Sequence, residues 1–137
     1  MSKYSLKLDE LEILIKAVVG SFSNGVVVLR GDLAAGKTTF VKAIARELGF
    51  NENVTSPTFS LQHMYGEKIF HYDVYNKGME HFISLGMLEE LEKDGLHFVE
   101  WGDDELVRIL MKAGIDVMTI DIEKINNYSR EYTVCIL

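Results

Sequence analysis

The chain has 137 residues, 47% of them apolar and 26% charged, with 21 acidic against 14 basic side chains and a net charge of −7. These are ordinary globular values, and the length predicts one domain spanning residues 1–137, large enough for a core but not for a second domain. The acidic balance argues against broad electrostatic binding to DNA or any other phosphate backbone. No apolar run approaches a membrane span, and the N-terminus lacks a basic-then-apolar signal, so a cytoplasmic protein with no membrane partner is expected. Cys135 is the sole cysteine, has no internal disulfide partner, and reads as a buried packing residue in an apolar strand.

In chain order, Tyr4 to Leu8 alternates as a first strand. Asp9 and Glu12 form a helix-start signal, and Leu11, Leu14, Ile15, Val18 and Val19 mark one face of a helix ending near Gly20. Asn24-Gly25 is a turn, and Val26-Val27-Val28-Leu29 has the β-branched run of a buried parallel strand. Immediately after it, Gly31-Asp32-Leu33-Ala34-Ala35-Gly36-Lys37-Thr38 fits G-x-x-x-x-G-K-[ST], the phosphate-binding loop of nucleoside triphosphatases. Glycines let the backbone curl into a nest of inward N–H groups, Lys37 adds a cation for the β- and γ-phosphates, and the Thr38 hydroxyl can ligate Mg²⁺. Phe40, Val41, Ile44 and Leu48 then recur at helical spacing, with Gly49 as C-cap, so a helix N-terminus points at the phosphates. Lys42 and Arg46, four apart on that helix, read as a solvated face.

The segment 54–61 contains Pro57, the sole proline, which excludes helix there. Its hydroxyl residues leave two readings open: a γ-phosphate-sensing switch, or a plain connection. Leu61–Tyr65 and Lys68–Tyr72 read as a hairpin around Gly66-Glu67. Phe82, Ile83, Leu85, Leu88 and Leu91 mark a helical region from Met79, interrupted at Gly86 and closed by Asp94-Gly95. Leu96–Trp101 is a strand. Asp103-Asp104 caps a helix carrying Leu106, Val107, Leu110 and Met111, which stops at Gly114. Two last strands, Ile115–Ile122 and Glu131–Leu137, flank the turn Asn126–Ser129. Strands alternating with helices predict a layered α/β domain, and the hairpins make its sheet mixed.

A phosphate loop needs a strand-end carboxylate to hold Mg²⁺ or its water. Asp73 and Glu100 both qualify, and the residues do not rank them. His63, His71, His81 and His97 show no metal-ligand spacing and read as structural or surface residues. His71 alone shares a strand face with Asp73. Trp101 reads as a core anchor, with a nucleotide or partner contact as alternatives.

In order, GDLAAGKT, VTSPTF, HYDVY and VEWGD resemble the motifs of the TsaE family, small bacterial ATPases of tRNA threonylcarbamoyladenosine synthesis, over nearly the whole chain. The resemblance implies a three-layer P-loop NTPase fold with a mixed, mostly parallel central sheet. It implies an ATP- and Mg²⁺-dependent protein partnered with the TsaD and TsaB proteins, meeting tRNA only through their complex. Carried over by motif, Asp32, Leu33, Ala34, Ala35, Gly36, Lys37, Thr38 and Thr39 bind nucleotide, and Thr38, Asp73 and Glu100 act at the metal. Lys37, Asp73 and Glu100 are the catalytic set, with Glu100 polarising the attacking water or binding Mg²⁺ through water. Ser56, Pro57, Thr58 and Phe59 match the family's switch-like segment, and Trp101 its second acidic motif. Two positions depart from the family pattern: Ala34 replaces a loop glycine, and Asn76 stands where arginine is common.

Arg30, Arg46, Arg108 and Arg130 are the only arginines and none has an arginine-finger context, which predicts weak turnover that partners stimulate. The alternatives are a small-molecule kinase, for which cationic clamps are scarce, and a nucleotide-gated binding module of GTPase type. Asn76-Lys77-Gly78-Met79 lacks the aspartate that GTPases place after Asn-Lys-x.

Overall fold

A computed structural model describes residues 1–32, 35–55, 61–74, 78–84 and 86–137. Leu33, Ala34, Ser56 to Ser60, Tyr75 to Lys77 and Leu85 lie outside the described residues, and with them the switch-like segment, the loop departure and Asn76.

The chain runs β1 (Ser2–Lys7), α1 (Leu11–Ser21), β2 (Gly25–Arg30), α2 (Lys37–Glu47), β3 (Val54–Thr55), β4 (Gln62–Tyr65) and β5 (Ile69–Asp73). It continues through α3 (Gly78–Ser84), α4 (Met87–Glu90), β6 (Leu96–Glu100), α5 (Asp104–Lys112), β7 (Val117–Lys124) and β8 (Ser129–Ile136). The strands form one sheet in the order β1-β8-β7-β2-β6-β5-β4-β3. Strands β7, β2, β6 and β5 pair in parallel. The flanking ladders are antiparallel, so only β8 and β4 run against the common direction. The sheet is thus mixed and mostly parallel, as expected.

Strand alternation distributes the core over both faces. In β2, Val27 and Leu29 face α1 and α2, where Leu14, Ile15, Phe40, Val41 and Ile44 cover them. Val26 and Val28 face the other layer, where Phe82, Met87, Leu91, Leu106 and Leu110 pack. A strand buried on both faces must be continuously apolar, which is why β2 reads Val-Val-Val-Leu. Helix layers on both sides of the sheet give three layers.

Several local expectations hold. Asp103 caps α5 by accepting from the Leu106 amide at 2.8 Å. After α2 the Phe50 amide returns to the Ala45 carbonyl at 2.8 Å, with Gly49 left-handed between them. The Asn126 carboxamide oxygen ties the last turn by accepting from the Tyr128 and Ser129 amides. Other expectations are corrected. The helix-start signal is not Asp9 with Glu12: Glu10 takes the Lys7 amide at 2.9 Å across a short 3₁₀ turn, and Glu12 pairs with Lys16. Leu48 and Met111 keep helical spacing but are 37% and 51% exposed; Leu48 is the C-cap of α2 and Met111 lies in the last turn of α5. Cys135 is half-buried.

On the α3–α5 side a directed hydrogen-bond chain crosses the core. The Lys93 carbonyl only accepts, so His97 Nε2 donates to it at 2.8 Å, leaving Nδ1 to accept from the Tyr72 hydroxyl at 2.9 Å. Tyr72 in turn accepts from Gln62 at 3.0 Å. His97 is fully buried, and desolvation lowers its pKa below the ordinary 6.5.

Two outcomes follow for stability. Phe40→Ala, at a fully buried site, is expected to cost about 3–5 kcal/mol in chemical denaturation, whereas Leu48→Ala costs under about 1 kcal/mol. Because the folded pKa of His97 is depressed, its contribution is present above the ordinary histidine pKa and lost as pH falls below about 6.5. His97→Gln, which retains an Nε2 donor, should flatten the acid-side fall in stability by up to roughly 1.4 kcal/mol per pH unit, read from denaturant midpoints between pH 7 and 5.

Candidate functional site

The C-terminal ends of β2, β6 and β5 lie side by side, with Leu29 opposite Glu100 and Glu100 opposite Asp73 in register. The loop from β2 to α2 opens at this edge. Gly31 is required there: a Cβ would lie 2.5 Å from the Ile122 carbonyl oxygen of β7. Gly36, with φ 102°, turns the chain into α2 and is its N-cap without any side-chain acceptor. Nor is there an acidic residue in the first turn of α2, in contrast to the Asp103-capped α5. The first internal bond of α2 runs from the Phe40 amide to the Gly36 carbonyl, so the amides of Lys37, Thr38 and Thr39 have no intrahelical acceptor. A helix N-terminus with no acidic residue in its own first turn and no side-chain cap on its amides suits an anion. One loop amide is internally engaged: Ala35 donates to the Asp32 carbonyl at 2.9 Å.

Lys37 is 3% exposed, and its ammonium donates to the carbonyls of Gly31 at 2.6 Å and Asp32 at 2.8 Å. Burial lowers its pKa from 10.5, against the opposing pull of Glu100, Asp73 and Asp32. The ammonium also lies 3.9 Å from the centre of the Trp101 ring, a cation–π contact. Trp101 has φ 69°, the one positive φ outside glycine among the described residues. Its amide donates to the Leu29 carbonyl at 3.0 Å, and its ring also rests on the rim of the α3–α5 core. It is both a core-edge anchor and a contact of the phosphate-loop lysine.

Glu100 is 3% exposed and accepts on Oε2 from the Thr38 hydroxyl at 2.8 Å and from His71 Nε2. Burial pushes its carboxyl upward, but the bonds from His71 and Thr38 and the nearby Lys37 charge outweigh it and hold the group below the ordinary carboxylate range. Asp73 stands exposed one strand further out, beyond His71 on the same face of β5. Asp32, Thr38 and Thr39 are exposed around the loop. The structure therefore brings Asp32, Ala35, Gly36, Lys37, Thr38, Thr39, Asp73, Glu100 and Trp101 to one edge of the sheet. Leu33, Ala34 and Ser56 to Phe59 lie outside the described residues.

The donor set fits Mg²⁺. Thr38, Asp73 and Glu100 offer hard oxygens, and the Thr38 hydroxyl directs its proton at Glu100, keeping its lone pairs for a cation. Among the described residues no cluster of three or more His, Cys, Asp or Glu could hold a metal alone, so phosphate oxygens would complete the shell.

The model of the family described as "Threonylcarbamoyl adenosine biosynthesis protein TsaE" matches residues 7–132. The chain belongs to the TsaE family. It is 39% identical over 112 residues to the TsaE protein of Treponema pallidum, covering 80% of each chain. It is 34% identical over 113 residues to that of Bacillus subtilis, covering 74% of this chain and 71% of the relative. The crystal structure of Bacillus subtilis YdiB superposes with a TM-score of 0.64 over 97% of this chain and 84% of that one, at 25% identity. Both relatives are named tRNA threonylcarbamoyladenosine biosynthesis proteins. Among the described residues of this TsaE-family chain, no helix is long and apolar enough to cross a membrane.

One participating residue and the hollows beside it escaped the sequence reading. Arg130 of β8 donates through Nε to the Ala35 carbonyl at 3.2 Å and through Nη1 to Asn126 and Ser129 carbonyls, joining the last hairpin to the phosphate loop. No local signal announces a contact across 95 residues. Behind Gly36, a cavity of about 250 Å³ is lined by Leu8, Thr39, Tyr128, Arg130 and Tyr132 among others. A hollow of about 530 Å³ between α1 and α2 shares Leu8 and Thr39 with it.

Trp101 is the sole tryptophan and stands on the Lys37 ammonium. Drawing that ammonium onto phosphate removes the cation from the ring, so saturating ADP or ATP with Mg²⁺ is expected to change Trp101 emission in a titration. Lys37→Ala should abolish the change.

Proposed function

We propose that this TsaE-family chain is a Mg²⁺-dependent ATPase of tRNA threonylcarbamoyladenosine biosynthesis. It acts in the cytoplasm with the TsaD–TsaB complex and reaches tRNA only through that complex. The observation that carries the reading is the bond from Thr38, on the free N-terminus of α2, to the buried Glu100 at the end of the adjacent parallel strand. Family membership supplies the pathway.

In this reading the amides of Lys37, Thr38 and Thr39 hold the phosphates, and Lys37 exchanges the Gly31 and Asp32 carbonyls for the β- and γ-phosphate oxygens. Thr38 and Asp73 would hold Mg²⁺, which neutralises charge on the phosphates when bound. Glu100, with its pKa depressed, is a weak base, so it orients and polarises the attacking water rather than deprotonating it beforehand. The cavity beside Leu8, Thr39 and Tyr128 would take the nucleoside, with Arg130 bracing the loop below it.

Two of the four arginines are held in contacts of their own, and the other two are exposed on helices. Arg30 pairs with Asp104 at 3.0 Å, Arg130 holds the Ala35 carbonyl, Arg46 lies in the last turn of α2, and Arg108 is exposed on α5. An inserted arginine is worth roughly 10³–10⁵-fold, so turnover alone should be slow and the partner complex should accelerate it. Steady-state ATPase assays with and without TsaD–TsaB test this. Wild type is expected to be slow alone and stimulated by the complex, with Lys37→Ala lowering the stimulated rate by ~10²–10³-fold. Turnover of the isolated chain at kinase rates of about 1–100 s⁻¹, or a rate indifferent to Lys37, would refute the reading.

A further inference from the structure

We propose that His71 is the positioning residue for Glu100, fixing which carboxylate oxygen meets the attacking water. This rests on the ATPase reading above and deepens it. His71 stands on β5 between Ile69 and Asp73, on the α2 face of the sheet, and is 6% exposed. Its Nε2 meets Glu100 Oε2, the oxygen that also accepts from Thr38 at 2.8 Å.

The two donors come from different elements, a neighbouring strand and the helix after the phosphate loop. They converge on one oxygen at the end of a side chain with three free torsions. A carboxylate held by one donor can still swing about that bond; held by two, it is fixed, and Oε1 is the oxygen left for water. An apolar residue would fill this buried strand position without the cost of desolvating an imidazole. The polar ring is explained by its partner. Thr38 cannot serve alone, because the reading above also assigns its hydroxyl to the metal. Losing the imidazole leaves Thr38 and Lys37 beside Glu100 but releases its geometry, which damages turnover rather than nucleotide binding.

The experiment measures kcat for ATP in the presence of TsaD–TsaB, and Kd for ADP, in His71→Leu, His71→Gln, Glu100→Gln and the His71→Leu/Glu100→Gln double variant. His71→Leu is expected to lower kcat by about 10–100-fold while ADP Kd stays within about threefold. His71→Gln, whose Nε2 can donate to the same oxygen, should recover most of the loss. On the Glu100→Gln background His71→Leu should change kcat by less than about twofold, since a residue acting only through Glu100 has nothing further to position. The proposal is overturned if His71→Leu retains wild-type kcat, if its effect persists in full on Glu100→Gln, or if it weakens ADP binding as much as it slows turnover. Should His71→Leu fail to fold, His71→Asn, too short to reach Glu100, replaces it with the same expected outcomes. Wild-type protein without Lys37-dependent hydrolysis would sink the ATPase reading itself. Lys37-dependent hydrolysis that ignores His71 would sink this proposal alone.

Discussion

The bond between Thr38 and Glu100 joins positions 62 residues apart, and it exists only because β2 and β6 are parallel neighbours in one register. Parallel strands end at the same edge of a sheet, so the loop leaving β2 and the acid closing β6 arrive together. The side-chain period of two then decides the face: Leu29, Phe98 and Glu100 share the side covered by α2. A slip of one residue in β6 would move Glu100 to the opposite side, among Val28, Val99 and Leu106, away from Thr38 and Lys37.

What was legible in the sequence is what is local. The flanks of the phosphate loop, the Asp103 cap, the Gly49 exit and the hairpin at Gly66 each depend on residues within about a helical turn of one another. Contacts between elements were not legible. Asp73 and Glu100 look alike as strand-end acids, and only the strand order separates them: β6 adjoins β2, whereas β5 lies one strand further out. His71 could be placed on the same face as Asp73 by alternation, but its partner is on β6. Arg130 sits in an ordinary polar stretch and acquires its role through a hairpin that returns beside the loop. Leu48 and Met111 show the converse: correct helical periodicity does not by itself bury a residue at a helix C-terminus.

Trp101 shows how the edge of the sheet gathers side chains that alternation would separate. Glu100 and Trp101 are adjacent, so an extended strand would aim them at opposite faces. The left-handed backbone at Trp101 breaks that alternation, so that Glu100 stays under α2 while the indole reaches over Lys37. The conformation costs of order 1–3 kcal/mol for a bulky residue. The cation–π contact returns about 0.5–2 kcal/mol, and the bond to Leu29 and packing on the α3–α5 rim supply further support. Part of that support depends on where the lysine is. In the proposed nucleotide-bound state, phosphate would draw the ammonium off the ring, and the left-handed turn would lose one of its compensations while its cost remains. Lys37 position and Trp101 conformation are therefore energetically linked.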